Sequence, residues 1–242
     1  MSNHQETVIA FTRLQRSFHN HLLHFMVFFI ITGLPLLSTS FSFLALLFAI
    51  PFDFLGGVFP DLATSGITDN ERLALGLQVA RVIHRVTASF FVIMAIPFVA
   101  VQLAHIRSWA IWPEDSWRPA AFFEGIKGLW VNYISLGHVR IGKFNVGQKL
   151  FAWTMIMAII AITASGFVLM FRDLFSPGAQ EFSRFLHAAS FVIIGVFLIV
   201  HLYLSLLPMN RQSLNAMFED GRLPLDYVKS HHPIWYDKLT GK

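Results

Sequence analysis

The chain has 242 residues, of which 55% are hydrophobic and 13% charged, and 26 are phenylalanine. Soluble domains run about 45–50% apolar and about 25% charged, so a soluble globular fold and disorder both fit poorly, and the composition points to a bilayer as solvent. Cysteine is absent while histidine appears 11 times. That excludes disulfides, thiolate chemistry, Cys-ligated Fe–S clusters and covalently attached c-type haem, and leaves His, Met or carboxylate to hold any metal. The formal charge of +4 is spread between apolar runs, so nucleic acid is not expected as a partner.

Four apolar runs, 20–37, 86–106, 150–170 and 187–208, are each long enough to cross a hydrocarbon core of about 30 Å at about 1.5 Å per residue. They predict helices over about 18–37, 84–106, 147–170 and 185–208. Residues 1–17 are polar and no small-residue cleavage site follows the first run, so that run is expected to stay as a membrane anchor. The shorter run 41–52 meets Pro51 and Asp53. It is too short to span alone and reads as an extension of the first helix or as an interfacial segment. Residues 53–80 hold Gly56, Gly57, Pro60, Gly66 and the acids Asp53, Asp61, Asp69 and Glu71. A basic loop over 107–146 includes a surface helix around 122–133. Residues 171–185 form a short loop with a Ser176-Pro177-Gly178 turn signal, and 209–242 a polar tail. No internal repeat is visible.

The N-terminus, the 107–149 segment and the tail carry 13 of the 18 basic residues. The opposite connections carry Arg72, Arg81, Arg85, Arg172 and Arg184 among six acids. By the positive-inside rule both termini lie in the cytoplasm. The expected fold is an all-α integral membrane protein, one domain over 1–242 built as a four-transmembrane-helix bundle, multi-pass in the bacterial inner (cytoplasmic) membrane. Trp109, Trp112, Trp117 and Trp130 mark the inner interface.

Histidine inside a membrane span marks function by default. His187 and His201 stand 14 residues apart on the fourth run, which puts both on one helix face about 21 Å apart. That is the placement two stacked haems require. Chain direction makes His187 and His84 outer, and His201 and His19 inner. The predicted metal pairs are therefore His84 with His187 and His19 with His201, giving two bis-His haems suited to electron transfer. Arg16–His19, Arg81–His84 and Arg184–His187 share an Arg-x-x-His spacing. Arg16, Arg81 and Arg184 each lie one turn nearer the aqueous edge, where a guanidinium can bind a haem propionate or serve as an interfacial anchor.

His105 is 21 residues after His84, about 31 Å along a helix, which overshoots the inner level by about 10 Å. His21 and His24 rival His19, and the shared spacing favours His19. His4, His138, His231 and His232 fall outside the spans. The third run carries no His; its Thr154, Met155, Met157, Thr163 and Ser165 read as packing residues. Gly33, Gly166 and Gly195 admit either a porphyrin face or a neighbouring helix.

Further stretches carry a resemblance: Gly33 fourteen residues after His19, Gly142-Lys-Phe-Asn-Val-Gly-Gln-Lys149, His187-Ala-Ala, His201-Leu-Tyr203 and Lys229-Ser-His-His-Pro-Ile-Trp-Tyr236. Together with the Arg-x-x-His segments they touch all four runs. The chain resembles the gamma subunit of membrane-bound formate dehydrogenases, a di-haem cytochrome b; bis-His helices alone are shared with hydrogenase and thiosulfate-reductase cytochromes. The 38–80 segment is longer than that family's usual outer connection.

The resemblance implies a role in a hetero-oligomer. Electrons arrive from a periplasmic Fe–S subunit, itself fed by a catalytic subunit, and pass through an outer and an inner haem b. They leave to menaquinone or ubiquinone near the cytoplasmic face. It also implies that Asn145, with Gly147 beside it, lies by the quinone. The residues agree in character. Asn145 and Gln148 open the third helix at the expected level of His201, their amides can hydrogen-bond a quinone carbonyl, and Gly147 gives a ring access to backbone. A helix N-cap is the competing use of Asn145. Two other readings of the whole chain are a haem-free anchor or transporter and a stand-alone transmembrane reductase. The spans contain no acidic residue to carry a proton path.

Overall fold

The computed structural model describes residues 6–56, 66–112, 119–135, 137 and 139–241; His4, Gly57, Pro60, Asp61, Trp117 and His138 lie outside them. In chain order the described residues form β1 (Thr7–Ile9), α1 (Arg13–Leu37), α2 (Leu46–Leu55), α3 (Asp69–Ala104), α4 (Pro119–Tyr133), α5 (Val146–Met170), α6 (Pro177–Ser205), α7 (Arg211–Phe218), β2 (Arg222–Pro224), α8 (Leu225–His231) and α9 (Pro233–Thr240). Four of them, α1, α3, α5 and α6, are long and apolar enough to cross a membrane. They are the four expected from the apolar runs. Pro35 and Pro97 sit inside α1 and α3, a use of proline that membrane helices tolerate.

Two helix starts differ from the sequence expectation. Helix α3 begins at Asp69, well before 84. Thr68 and Glu71 close a capping box there: the Thr68 N–H donates to Glu71 Oε2 at 2.7 Å and the Glu71 N–H to Thr68 Oγ1 at 3.3 Å. The polar residues after it then extend the helix beyond its apolar run. Helix α6 begins at Pro177, not 185. Ser176 caps it by accepting from the Ala179 N–H, and Pro177 occupies the first turn, where no N–H is needed. The Ser-Pro-Gly signal read as a turn is a helix start.

The chain forms two compact units, Ser17–Ala104 and Met1–Arg16 with His105–Lys242. In the first, the 41–52 run is neither an extension of α1 nor broken at Pro51. A 3-10 turn over Thr39–Ala45 leads into α2, which continues through Pro51 to Leu55. Ala45 and Ala49 are fully buried. Gly76 of α3 comes so close that a Cβ there would stand 2.1 Å from the Ala45 carbonyl oxygen. Small residues thus let the α2 segment and α3 meet backbone to backbone, and an Arg72–Asp53 ion pair closes their far end. Phe25 and Phe29 each pack edge to face on Phe91, and Phe18 stacks on Phe98.

In the second unit α5 packs along α6. Helix α4 lies over the start of α5, with Gly125 against Val146 and Leu129 against Gly147. The tail, expected as a polar extension, is folded. Strand β1 pairs antiparallel with β2 in the register Thr7↔Pro224, Val8↔Leu223, Ile9↔Arg222. Ala10, Ala216, Leu223, Tyr227 and Val228 form a small core beneath the ribbon. Gly221 makes the turn possible, since its φ is +82° and a Cβ would meet the Phe11 carbonyl oxygen at 2.2 Å. Residues 7–9 and 222–224 therefore lie together.

Candidate functional site

His84 projects from α3 toward α1. The Thr32 hydroxyl of α1 donates to the Phe28 carbonyl at 2.6 Å and stands 2.8 Å from His84 Nδ1. A hydroxyl has one hydrogen, and here it is committed to the carbonyl, so Nδ1 must be the donor. In that tautomer the metal-ligating nitrogen is Nε2. Phe29 packs edge-on to the same ring at 5.3 Å.

His187 is held the same way in the other unit. The Ser165 hydroxyl of α5 donates to the Ala161 carbonyl at 2.7 Å and lies 3.2 Å from His187 Nδ1. The Ile162 carbonyl is also 3.1 Å from that nitrogen. Again Nδ1 is the donor, the tautomer in which Nε2 is the metal-ligating nitrogen. Gly166 eases this packing, because a Cβ would stand 3.2 Å from His187 Cε1, tighter than ordinary contact. Of the two uses open to Gly166, porphyrin face or neighbouring helix, the side chain met is the imidazole on α6. Ser165, expected as packing, is its hydrogen-bond partner. No sequence signal marked Ser165 or Thr32 beyond their place in membrane runs.

Within each unit the spacing along the helix is similar. On α1, Thr32 marks the level of His84, and His19 lies 13 residues away, about 20 Å along the helix. On α6, His187 and His201 are 14 residues apart, about 21 Å. The ring of His201 stacks on Phe151 of α5 at 5.0 Å. His19, His84, His187 and His201 are all half-buried. His21 and His24 are exposed, and His24 Nδ1 is 2.7 Å from the carbonyl of Asn20 on its own helix. His21 lines an apolar groove of about 470 Å³ with Phe25, Phe28, Thr87, Phe90, Ile93 and Met94. His105 is exposed just past the end of α3.

The three arginines are not equivalent. Arg81 and Arg184 are exposed. Arg16 donates from Nη1 to the Glu219 carbonyl and is packed beside Gly221, which ties the start of α1 to the tail.

Asn145 is buried and caps α5. Its Oδ1 accepts from the Gln148 N–H at 2.8 Å, and Gln148 Oε1 accepts from the Asn145 N–H at 2.9 Å. The N-cap use is therefore real. It engages the amide oxygens of both side chains, whereas a quinone carbonyl needs the NH₂ groups as donors. The space at Gly147 is taken by Leu129 of α4, 3.0 Å from where a Cβ would stand. Asn145, expected level with His201, is not. His201 is level with Phe151, and Asn145 lies six residues nearer the start of α5, about 9 Å.

The segments Gly142–Lys149 and Lys229–Tyr236 fold onto each other. His232 Nδ1–H donates to the Gly142 carbonyl at 3.0 Å, and the Ile234 N–H to the Ile141 carbonyl at 3.1 Å. Arg140 pairs with Asp237 at 2.6 Å. Lys143 donates to the Ala10 carbonyl and lies over the rings of Phe11, Phe144 and Trp235. Burial pushes its ammonium below the usual lysine range. Burial also lowers His232; the Gly142 hydrogen bond opposes the shift, and the charges of His231 and Lys143 add to it.

The family model of the prokaryotic cytochrome b561 matches residues 10–220. The chain belongs to that family. It is thus a multi-pass membrane cytochrome b, for which haem b is the family's prosthetic group. Relatives include the cytochrome b556(Fdn) subunit of the nitrate-inducible formate dehydrogenase of Escherichia coli K12, 28% identical over 102 residues, which are 41% of this chain and 46% of that protein. The cytochrome b556(fdo) subunit of the same organism is 31% identical over 102 residues, 40% of this chain and 46% of that one. The formate dehydrogenase cytochrome b556 subunit of Haemophilus influenzae is 30% identical over 98 residues, 39% and 40% of the two chains. The matches cover less than half the length of these curated relatives. The residues present fit haem b: the Nδ1 of His84 and of His187 each meets an oxygen of a neighbouring helix, the tautomer in which an imidazole ligates iron through Nε2.

Proposed function

We propose that this chain is the electron-transfer subunit of a respiratory oxidoreductase of the formate dehydrogenase kind, one membrane cytochrome domain with both termini cytoplasmic. His84 and His187 would hold an outer haem b, and His19 and His201 an inner one. Bis-imidazole haem supplies one-electron transfer with no open position for oxygen chemistry. The donor is a periplasmic Fe–S subunit joined to a catalytic subunit, and the acceptor is menaquinone or ubiquinone near the cytoplasmic face. The observation that carries this reading is the equal spacing of the two histidine levels, about 20 Å on α1 and about 21 Å on α6.

The chain's own residues do the positioning. Thr32 and Ser165 hold the outer imidazoles in one tautomer. Arg81 and Arg184, one turn outward, suit the propionate edge, while Arg16 adds a tie to the tail. At the inner end Asn145 and Gln148 spend their oxygens on the cap and present NH₂ groups to a quinone carbonyl. The packed tail fixes that end of α5 through Gly142 and Lys143.

The test is purification of the native complex. Two b-type haems per chain, an Fe–S partner in the preparation and haem reoxidation by a soluble quinone analogue support the reading. A haem-free chain purified without partners would mean an anchor or transporter. A haem-loaded chain active alone would mean a stand-alone reductase.

A further inference from the structure

Thr32 is the twentieth residue of α1 and Ser165 the twentieth of α5, each five residues before its helix ends. Each is followed by a glycine, Gly33 or Gly166. Each hydroxyl gives its hydrogen to the carbonyl four residues back, Phe28 or Ala161, and turns a lone pair to the Nδ1 of a histidine in an Arg-x-x-His segment on the next long helix. One device is thus built twice, once in each compact unit, from helices with no other evident sequence repeat. Two independent constructions of the same geometry at the same helix position argue against incidental polar packing.

We infer that Thr32 and Ser165 are positioning residues, each fixing the ligand atom of the histidine it contacts and lowering the reduction potential of the haem which that histidine would hold; that the two act on one outer haem rests on the function proposed above. A hydrogen bond from Nδ1–H to an oxygen makes the imidazole a stronger electron donor through Nε2, and this favours the ferric state. Both hydroxyls therefore hold the outer site at a lower potential than free imidazoles would. That sign is useful in place, because electrons entering at the outer level must then run downhill to the inner one. The Thr32 bond, at 2.8 Å, is shorter than the Ser165 bond at 3.2 Å, and His187 keeps the Ile162 carbonyl if Ser165 is lost. Thr32 therefore contributes the larger share.

The test uses the full-length chain in its complex, with Thr32→Val, Ser165→Ala and the double variant. Conservative controls are Thr32→Ser and Ser165→Thr. Readouts are haem content, spectroelectrochemical titration of each haem and the electron paramagnetic resonance signal of the ferric low-spin haems. Thr32→Val is expected to raise the reduced-to-oxidised ratio of one haem about three- to tenfold at fixed potential. At 59 mV per decade for one electron that is a rise of about 30–60 mV. Ser165→Ala gives a smaller rise in the same haem, the double variant the largest, and the conservative variants stay near wild type. The other haem serves as internal control and does not move. Wild-type potentials and signals in a haem-loaded double variant would overturn the inference and leave the proposed function standing. A shift confined to the haem that His19→Ala removes would overturn it too. A wild-type chain with no b-type haem would overturn both.

Discussion

The proposed outer and inner histidine levels are built from different materials. At the outer level His84 and His187 are each tethered through Nδ1 to a hydroxyl on a neighbouring helix. At the proposed inner level His201 lies flat against the ring of Phe151, and a folded, lysine- and aromatic-rich platform precedes the start of the same α5 helix. The outer level is thus specified by directional polar bonds within the spans, where an unsatisfied imidazole N–H is costly. The inner level borders a block of tail and loop that organises backbone at the membrane edge. The contrast suits the two tasks proposed: a fixed ligand geometry where electrons enter, and a shaped protein surface where a quinone must come and go.

The largest effects break one level at a time. His84→Ala or His187→Ala is expected to lower haem content from about two per chain to about one and to leave the inner haem's spectrum intact. His19→Ala and His201→Ala do the reverse, and His24→Ala changes neither. Loss of both haems from an inserted chain in any one of these variants would mean that the levels are not separate sites.

A subtler break acts on the outer level alone. In Gly166→Ala the new methyl stands about 3.2 Å from His187 Cε1, tighter than ordinary contact, so the ring must tilt. The expected result is a shifted low-spin ferric signal and partial loss of the outer haem. An unchanged signal would mean that α5 and α6 relax apart at no cost to the ligand.

The inner level is sharpened by separating cap from donor at Asn145. Asn145→Asp keeps the N-cap acceptor but removes the NH₂ group. Asn145→Ala removes both. If the amide donates to quinone, both variants weaken quinone binding by up to about tenfold, the worth of one hydrogen bond of on the order of 1 kcal/mol or slightly more. If Asn145 is only a cap, Asp behaves as wild type and Ala loses helix stability. Haem reoxidation at graded quinone-analogue concentrations distinguishes the two.

The smallest expected effect is in pH. His232 is buried and neutral, with its folded pKa below the ordinary imidazole value of about 6.5. The unfolded tail binds more protons than the folded one between those two values, so stability rises with pH there. Tail docking is fully present above about pH 6.5 and is lost progressively as pH falls toward the folded value. His231 and Lys143 face the ring and add to the loss. Amide exchange of residues 232–236 should therefore quicken on acidification, and less so in His232→Gln.

Much of this was legible in the sequence, for physical reasons. The four spans were, because a bilayer demands long apolar runs. The placement of His187 and His201 on one helix was, because the apolar run between them is unbroken. Helix starts at Asp69 and Pro177 were not, because side-chain caps at Thr68 and Ser176 extend polar turns that hydropathy does not register. The polar tail was misread because its order depends on a core of few residues, Leu223, Tyr227 and Val228, paired with the distant N-terminal strand. The motif pair Gly142–Lys149 and Lys229–Tyr236 was visible, and its contact through His232 and Ile234 shows why the two travel together. Thr32 and Ser165 were missed as ligand supports, because one hydroxyl in an apolar helix looks like packing until its partner across the helix pair is known.

The central claim is two haem sites at two depths, each made of two histidines. It is tested most directly by the haem-to-protein ratio of the purified wild-type complex, measured alongside His84→Ala and His19→Ala. Two b-type haems in the wild type, and one in each variant with different remaining midpoint potentials, are expected. One haem in the wild type, or the same haem remaining in both variants, would contradict it.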